Sequence, residues 1–323
     1  MIPRCRQKNF FTFIASRPEL HAMFDCRVHG KPVPTDIVGV FRDSTDVMAD
    51  SAALQARMCD DGYVFLRGVV GPSSIAMARH EVFGRLADVG EIAEPPVEGI
   101  FTGQSQRPAK PSERGAFWQS VSEGPALRRV THGPEMHYVL DTLFGEPSRG
   151  YNFIFLRPGV PGRFTFLHYD LPFFSRGTKN VVTAWTAIGD IPTTEGPLFV
   201  LENSHRFDDL IKPIQTIDYN SKDSPQVQMM DDAVEFARSR GSRLLTANFE
   251  PGDVILFGMT TMHGSFDNCS PINRTRLSVD VRWQPASEPI DERYFGANPA
   301  GTTGIGYAEL NGAKPLTEPW HTR

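Results

Sequence analysis

From residue 151 onward the apolar residues recur with a period of two, and this pattern limits the folds open to the chain more than any other feature of it. Candidate strands lie at 151–157, 162–169, 180–188, 198–201, 244–249, 253–257 and 275–284, separated by Gly/Pro-rich turns such as Arg157-Pro158-Gly159 and Glu250-Pro251-Gly252. Many short strands at this spacing read as an antiparallel sandwich or barrel. One connection is lengthened by a helix expected over 225–240. The N-terminal third reads differently: a helix over 46–59 meets Asp61-Gly62, a buried strand follows at 63–70, and Ser73-Ser74 caps a second helix running to about Val89. Residues 91–123, rich in Pro, Gly, Ser, Gln and Arg, read as a long loop. The expected class is mainly β with flanking helices (α+β). A single domain is expected over 1–323, with an N-terminal extension (1–45), a helical part (46–150), a β core (151–285) and a C-terminal wrap (286–323).

Charge and composition remove several classes of partner. Lys and Arg number 33 against 38 acids, with no long run of one sign, so a phosphate backbone finds no footprint and nucleic acid is not an expected partner. No apolar run approaches the ~18 residues needed to span a bilayer, so no membrane association is expected either. The 28 Gly and 26 Pro in 323 residues fall well short of the ~25–30% that marks low-complexity sequence. Cys5, Cys26, Cys59 and Cys269 form no CxxC pair, which argues against a thiolate zinc site and points to a reducing, cytoplasmic setting. The acid-free stretch carrying Arg4, Arg6, Lys8 and Arg17 offers organelle targeting as the alternative. Oligomeric state has no signal in the sequence.

The residues able to do chemistry cluster in the β region. In His168-Tyr169-Asp170, at a strand end, alternation puts the imidazole and the carboxylate on one face and Tyr169 on the other. Ninety-five residues later a turn, a buried strand and a loop deliver His263 just past a strand end. Two histidines and one carboxylate on one face of a metal, with the remaining positions open, form the facial triad of non-haem Fe(II) oxygenases. A 2-oxo acid chelates two of those positions, O2 takes the third, and a buried Arg matches the acid's distal carboxylate bidentately. Arg274 and Arg276 both follow His263; Arg276 is preferred, because Arg276, Ser278 and Asp280 alternate with Leu277, Val279 and Val281 and so share the polar face.

Taken in order, His168-Tyr169-Asp170, Trp185 with Gly196-Pro197-Leu198, Asn203-Ser204-His205, Gly252-Asp253, His263-Gly264-Ser265 and Arg276-Leu277-Ser278 resemble the motif series of the phytanoyl-CoA dioxygenase-like 2-oxoglutarate oxygenases, and Asp61-Gly62-Tyr63-Val64 resembles their N-terminal signature. The resemblance covers roughly residues 45 to 285. It implies a double-stranded β-helix (jelly-roll, cupin-like) core, Fe(II), 2-oxoglutarate as co-substrate, O2, and oxidation of a small molecule with release of succinate and CO2. By position it implies His168, Asp170 and His263 as iron ligands, with Trp185, Ser265 and Phe153 beside the 2-oxoglutarate site. Tyr169 stands where the family often has Gln, and no equivalent of its N-terminal lysine contact is evident beyond Lys110.

Two other readings use the same residues: a non-catalytic β-helix binding module, or a metal-dependent hydrolase with zinc in the same ligands, although no extra carboxylate is placed as its general base. For the substrate, Phe173 and Phe174 directly follow the ligand pair and are expected to wall the pocket. The basic stretch 99–118, with Arg107 and Arg114, is expected to close over the site and favour an anionic substrate.

Overall fold

The structure, a computed structural model, describes residues 25–174, 176–219 and 232–318. In chain order its strands are β1 (Arg27–Val28), β2 (Lys31–Pro32), β3 (Val38–Val40), β4 (Tyr63–Leu66), β5 (Ser148–Gly150), β6 (Phe155–Gly159), β7 (Thr165–His168), β8 (Val182–Ala187), β9 (Leu198–Leu201), β10 (Leu244–Thr246), β11 (Val254–Gly258), β12 (His263–Ser265) and β13 (Arg276–Pro285). The helices are α1 (Ser51–Asp61), α2 (Pro72–Ala87), α3 (Pro111–Ser122), α4 (Pro125–His132), α5 (Pro134–Phe144), α6 (Asp208–Ile214) and α7 (Ala233–Ser239).

The larger sheet runs β4-β11-β8-β13-β5, with β6 also on β13, and the smaller runs β3-β10-β9-β12-β7. Together they make a cupin-like jelly roll. Period-two alternation builds its layers. In β11, Val254 and Leu256 pack toward the helices, with Leu54, Val82 and Leu140, whereas Ile255 and Phe257 join Trp185, Val200 and Leu245 between the sheets. In β13 the helix-facing residues Leu277, Val279, Val281 and Trp283 alternate with Arg276, Ser278, Asp280 and Arg282, of which Arg276, Asp280 and Arg282 line the interior cavity. All ten residues of β13 are buried, so its charged face needs partners inside the protein.

The Gly252-Asp253 turn fixes where β11 begins. Gly252 has φ +87°, and a Cβ there would lie 2.1 Å from the Val70 carbonyl oxygen. The buried Asp253 carboxylate accepts from Gly68 N at 3.0 Å and Glu250 N at 2.8 Å and pairs with Arg67 at 2.6 Å, which ties the turn to the end of β4.

Several elements differ from expectation. Arg157-Pro158-Gly159 is the end of β6 and not a turn; among the described residues β6 pairs with β13 alone, and an edge strand tolerates a proline with no N–H to give. His263 opens a strand of its own, paired with both β7 and β9. The expected loop 91–123 contains α3, whose buried side includes Gly115 and the fully buried Trp118. Two of the four buried α3 positions are Gly and Ser, so the apolar stripe that marks most helices is thin there. Of the helix expected over 225–240, Ala233–Ser239 is present and 225–231 lies outside the described residues, as does the basic N-terminal stretch. Among the described residues no helix is long and apolar enough to cross a membrane.

Candidate active site

A cavity of about 650 Å³ opens between the two sheets, and His168, Asp170 and His263 lie in its wall. The strand register brings the histidines together: His263 of β12 is directly opposite His168 of β7, and their ring centroids are 4.3 Å apart. Asp170 follows two residues after His168. Its Oδ1 lies 3.7 Å from His168 Nε2 and 4.0 Å from His263 Nε2. One ligand atom from each of the three residues fits within a 4.8 Å span.

Each of these groups is held by a second contact. His168 Nδ1 lies 2.8 Å from the Phe166 carbonyl and His263 Nδ1 lies 3.2 Å from that of Thr261. A carbonyl only accepts, so each Nδ1 carries the proton and each Nε2 lone pair faces Asp170, the tautomer a metal-ligating imidazole requires. Asp170 Oδ2 accepts from Arg282 Nη2 and Thr183 Oγ1, both at 2.8 Å. Burial alone would raise the Asp170 carboxyl, but the Arg282 guanidinium, helped by the Thr183 hydroxyl, prevails and holds it well below the ordinary carboxylate range. Burial, with His168 beside it, pushes His263 down to about 3, and burial lowers His168 as well. The resting cluster is thus two neutral imidazoles and one carboxylate. That donor set fits a divalent ion such as Fe(II).

Arg276 lines the same cavity. It is 7% exposed, donates through Nη1 to the Gly196 carbonyl at 3.0 Å, and leaves Nε without a partner. Among the described residues no carboxylate lies within ion-pair distance of it, and burial lowers its pKa to about 10. Arg274 is already engaged, Nε meeting both oxygens of Glu195 at 3.0 and 2.8 Å. Trp185, Ser265, Phe173 and Phe174 also line the cavity.

Other expected site residues are placed elsewhere. Phe153 does not line the cavity: it is fully buried and stacked on Tyr307, ring centroids 4.4 Å apart. Arg107 and Arg114 do not line it either. Arg107 is wholly buried, pairing with Glu91 at 2.8 Å and donating to the carbonyls of Gly312, Ala313 and Lys314, and Arg114 pairs with Glu318 at 2.8 Å. The expected cationic lid is therefore packed structure, fastened to the C-terminal segment by buried charge. Arg107→Ala strands the Glu91 carboxylate and should cost ~3–5 kcal/mol of stability in urea unfolding, whereas Arg114→Ala at its half-exposed pair should cost no more than about 1 kcal/mol.

The cavity also holds residues that were not expected. Arg157 on β6 lines it, with Nε 2.9 Å from Asp280 Oδ1 and Nη2 3.4 Å from Asp280 Oδ2. Lys314, Asn311 and Leu310 arrive from the C-terminal segment, and Tyr219 from the connection after α6. The signal for Arg282 was present, since it continues the alternation of Arg276, Ser278 and Asp280. Arg157 was obscured by the proline after it, and Lys314 by a Gly/Pro-rich stretch without periodicity.

A jelly roll that brings two histidines and an aspartate together in its cavity defines a non-haem iron oxygenase, here an iron- and 2-oxoglutarate-dependent oxidoreductase. The chain belongs to the phytanoyl-CoA dioxygenase family, whose sequence profile matches residues 58–276. It is 26% identical over 273 residues to the 1-deoxypentalenic acid 11-beta-hydroxylase of Streptomyces arenae, covering 78% of this chain and 88% of that one. The enzyme of the same name from Streptomyces exfoliatus is 25% identical over 274 residues, with the same coverage of both chains. Among solved structures, EctD from S. alaskensis in its apoform superposes with a TM-score of 0.50 at 19% identity, covering 86% of this chain and 93% of that one, a likeness of fold.

Proposed function

We propose that His168, Asp170 and His263 hold Fe(II), that Arg276 receives the distal carboxylate of 2-oxoglutarate beside Trp185 and Ser265, and that the enzyme hydroxylates a small molecule carrying an acidic group on an apolar body. The observation that carries this reading is one cavity holding both a His/Asp/His cluster and a buried arginine, Arg276, with no acid within ion-pair distance among the described residues. The iron, when bound, supplies O2 activation coupled to decarboxylation of the oxo acid. The chain's own residues orient the two acids, exclude water with aromatic walls and keep the three ligand atoms facing one another.

The substrate class is read from the outer cavity. Phe173, Phe174 and Tyr219 offer an apolar surface. Arg157 and Lys314 supply positive charge there; Arg157 uses Nε and Nη2 on Asp280, and Nη1 has no hydrogen-bond partner among the described residues. The substrate named for both Streptomyces hydroxylases is itself an acid. A panel of small apolar carboxylic acids, each with its methyl ester, assayed for succinate with Fe(II) and 2-oxoglutarate, tests the class. Acids should stimulate succinate formation and their esters should not. Arg157→Gln should raise the KM of the acid by roughly 10- to 100-fold, matching about 1.5–3 kcal/mol for a hydrogen bond to a charged group. Equal turnover of acid and ester, or an unchanged KM in Arg157→Gln, would remove the anionic anchor.

A further inference from the structure

We infer that Arg282 is a positioning residue that keeps Asp170 a one-oxygen metal ligand, so that the carboxylate does not take a coordination position the oxo acid or O2 needs. The inference rests on the reading of Asp170 as an iron ligand.

A carboxylate can bind a metal through one oxygen or through both. With three protein donors, three positions of an octahedral ion stay open, and chelation of a 2-oxo acid together with O2 uses all of them. A second oxygen from Asp170 would compete with one of these. In the structure the two oxygens of Asp170 have different surroundings. Oδ1 faces the two imidazoles and has no hydrogen-bond donor among the described residues, whereas both donors near the carboxylate, Arg282 Nη2 and Thr183 Oγ1, sit on Oδ2.

Arg282 is itself held at both ends of its fork, Nη1 and Nη2, while its Nε has no partner among the described residues. Its guanidinium lies over the Phe155 ring at 4.2 Å and the Phe174 ring at 4.5 Å. Nη1 is bound to Asp280, and Asp280 is held in turn by Arg157. The side chain is 2% exposed, so water does not compete for its protons. A guanidinium fixed at both ends of its fork and stacked between two rings gives Asp170 little freedom to rotate about its carboxyl axis. Arg282 lies six residues after Arg276 on the same inward face of β13, so one strand carries both the cation awaiting the oxo acid and the cation that sets its competitor.

The test uses the full-length protein, free of metal at the start. Mn(II) affinity comes from the free-ion electron paramagnetic resonance signal, and 2-oxoglutarate binding to the anaerobic Fe(II) protein from its visible charge-transfer absorption. Wild type should bind one Mn(II), and His263→Ala should not; if wild type shows no such His263-dependent binding, the ligand reading fails and this inference with it. Arg282→Gln and the near-isosteric Thr183→Val each remove one donor from Oδ2, and thermal melts report whether each is folded. Thr183→Val keeps the question open to decision if Arg282→Gln does not fold. The expected result is a 2-oxoglutarate affinity that falls at least ~10-fold further than the Mn(II) affinity, which itself falls by no more than the ~10- to 100-fold seen when groups supporting a metal ligand are lost. Unchanged 2-oxoglutarate affinity in the folded variants, or loss of Mn(II) and 2-oxoglutarate binding in equal measure, would overturn it.

Discussion

Alanine at His168 or at His263 should leave a folded protein that binds no stoichiometric Fe(II) and forms succinate only at background. Losing groups that merely support a metal ligand costs about 10- to 100-fold in affinity or activity, so removing a ligand itself should cost more than two orders of magnitude. The geometry makes the two replacements equivalent: the imidazoles are cross-strand partners with centroids 4.3 Å apart, each fixed by a backbone carbonyl at Nδ1, and no third histidine joins the cluster among the described residues. Metal analysis of the purified variants after reconstitution checks the first half of the expectation and a succinate assay the second. Full iron occupancy and normal turnover in both variants would contradict the assignment.

The second large effect is at Arg276. Arg276→Ala should raise the KM for 2-oxoglutarate by about a hundredfold to a few thousandfold, the equivalent of the ~3–5 kcal/mol lost when one member of a buried ion pair is left without the other. The kcat at saturating co-substrate should fall much less. Arg274→Ala should leave the KM for 2-oxoglutarate within about twofold of wild type, because that guanidinium is spent on Glu195, and its effect should appear in stability. Steady-state kinetics on both variants decide between them, and a larger KM change in Arg274→Ala would reverse the assignment.

What could be read before folding and what could not follow from how local each signal is. Alternation along β13 put Arg276 on the polar face with Ser278 and Asp280 without coordinates; Arg274 has the same parity, and what separates the two is that the strand pattern begins at Arg276, with Arg274 before it and paired with Glu195. The same parity put His168 and Asp170 on one face, whereas His263 was joined to them by the donor set of the facial triad and the order of the motifs; its strand pairing opposite His168 was not read. Arg107 was misjudged because its environment is assembled from distant parts: Glu91 is 16 residues away and the carbonyl of Gly312 is 205 away. In a stretch rich in Pro, Ser and Gln, a guanidinium bound for a fully buried ion pair looks like a solvated one. Phe153 fails on a finer scale. It packs on Tyr307 from the C-terminal segment, and Phe155, two residues on, is the ring that lines the cavity. The C-terminal segment contributes Lys314 and Asn311 through irregular backbone, where no period announces which side chains turn inward.

The most direct test of the account is the stoichiometry of the wild-type reaction with an acidic substrate, 2-oxoglutarate, Fe(II) and O2. The account predicts one succinate and one CO2 per hydroxylated product, with an 18O label from O2 in both succinate and product, no reaction without Fe(II), and none in His263→Ala. A product formed anaerobically with its label taken from water, as a metal-dependent hydrolase would give, or succinate formation that persists in His263→Ala, would contradict it.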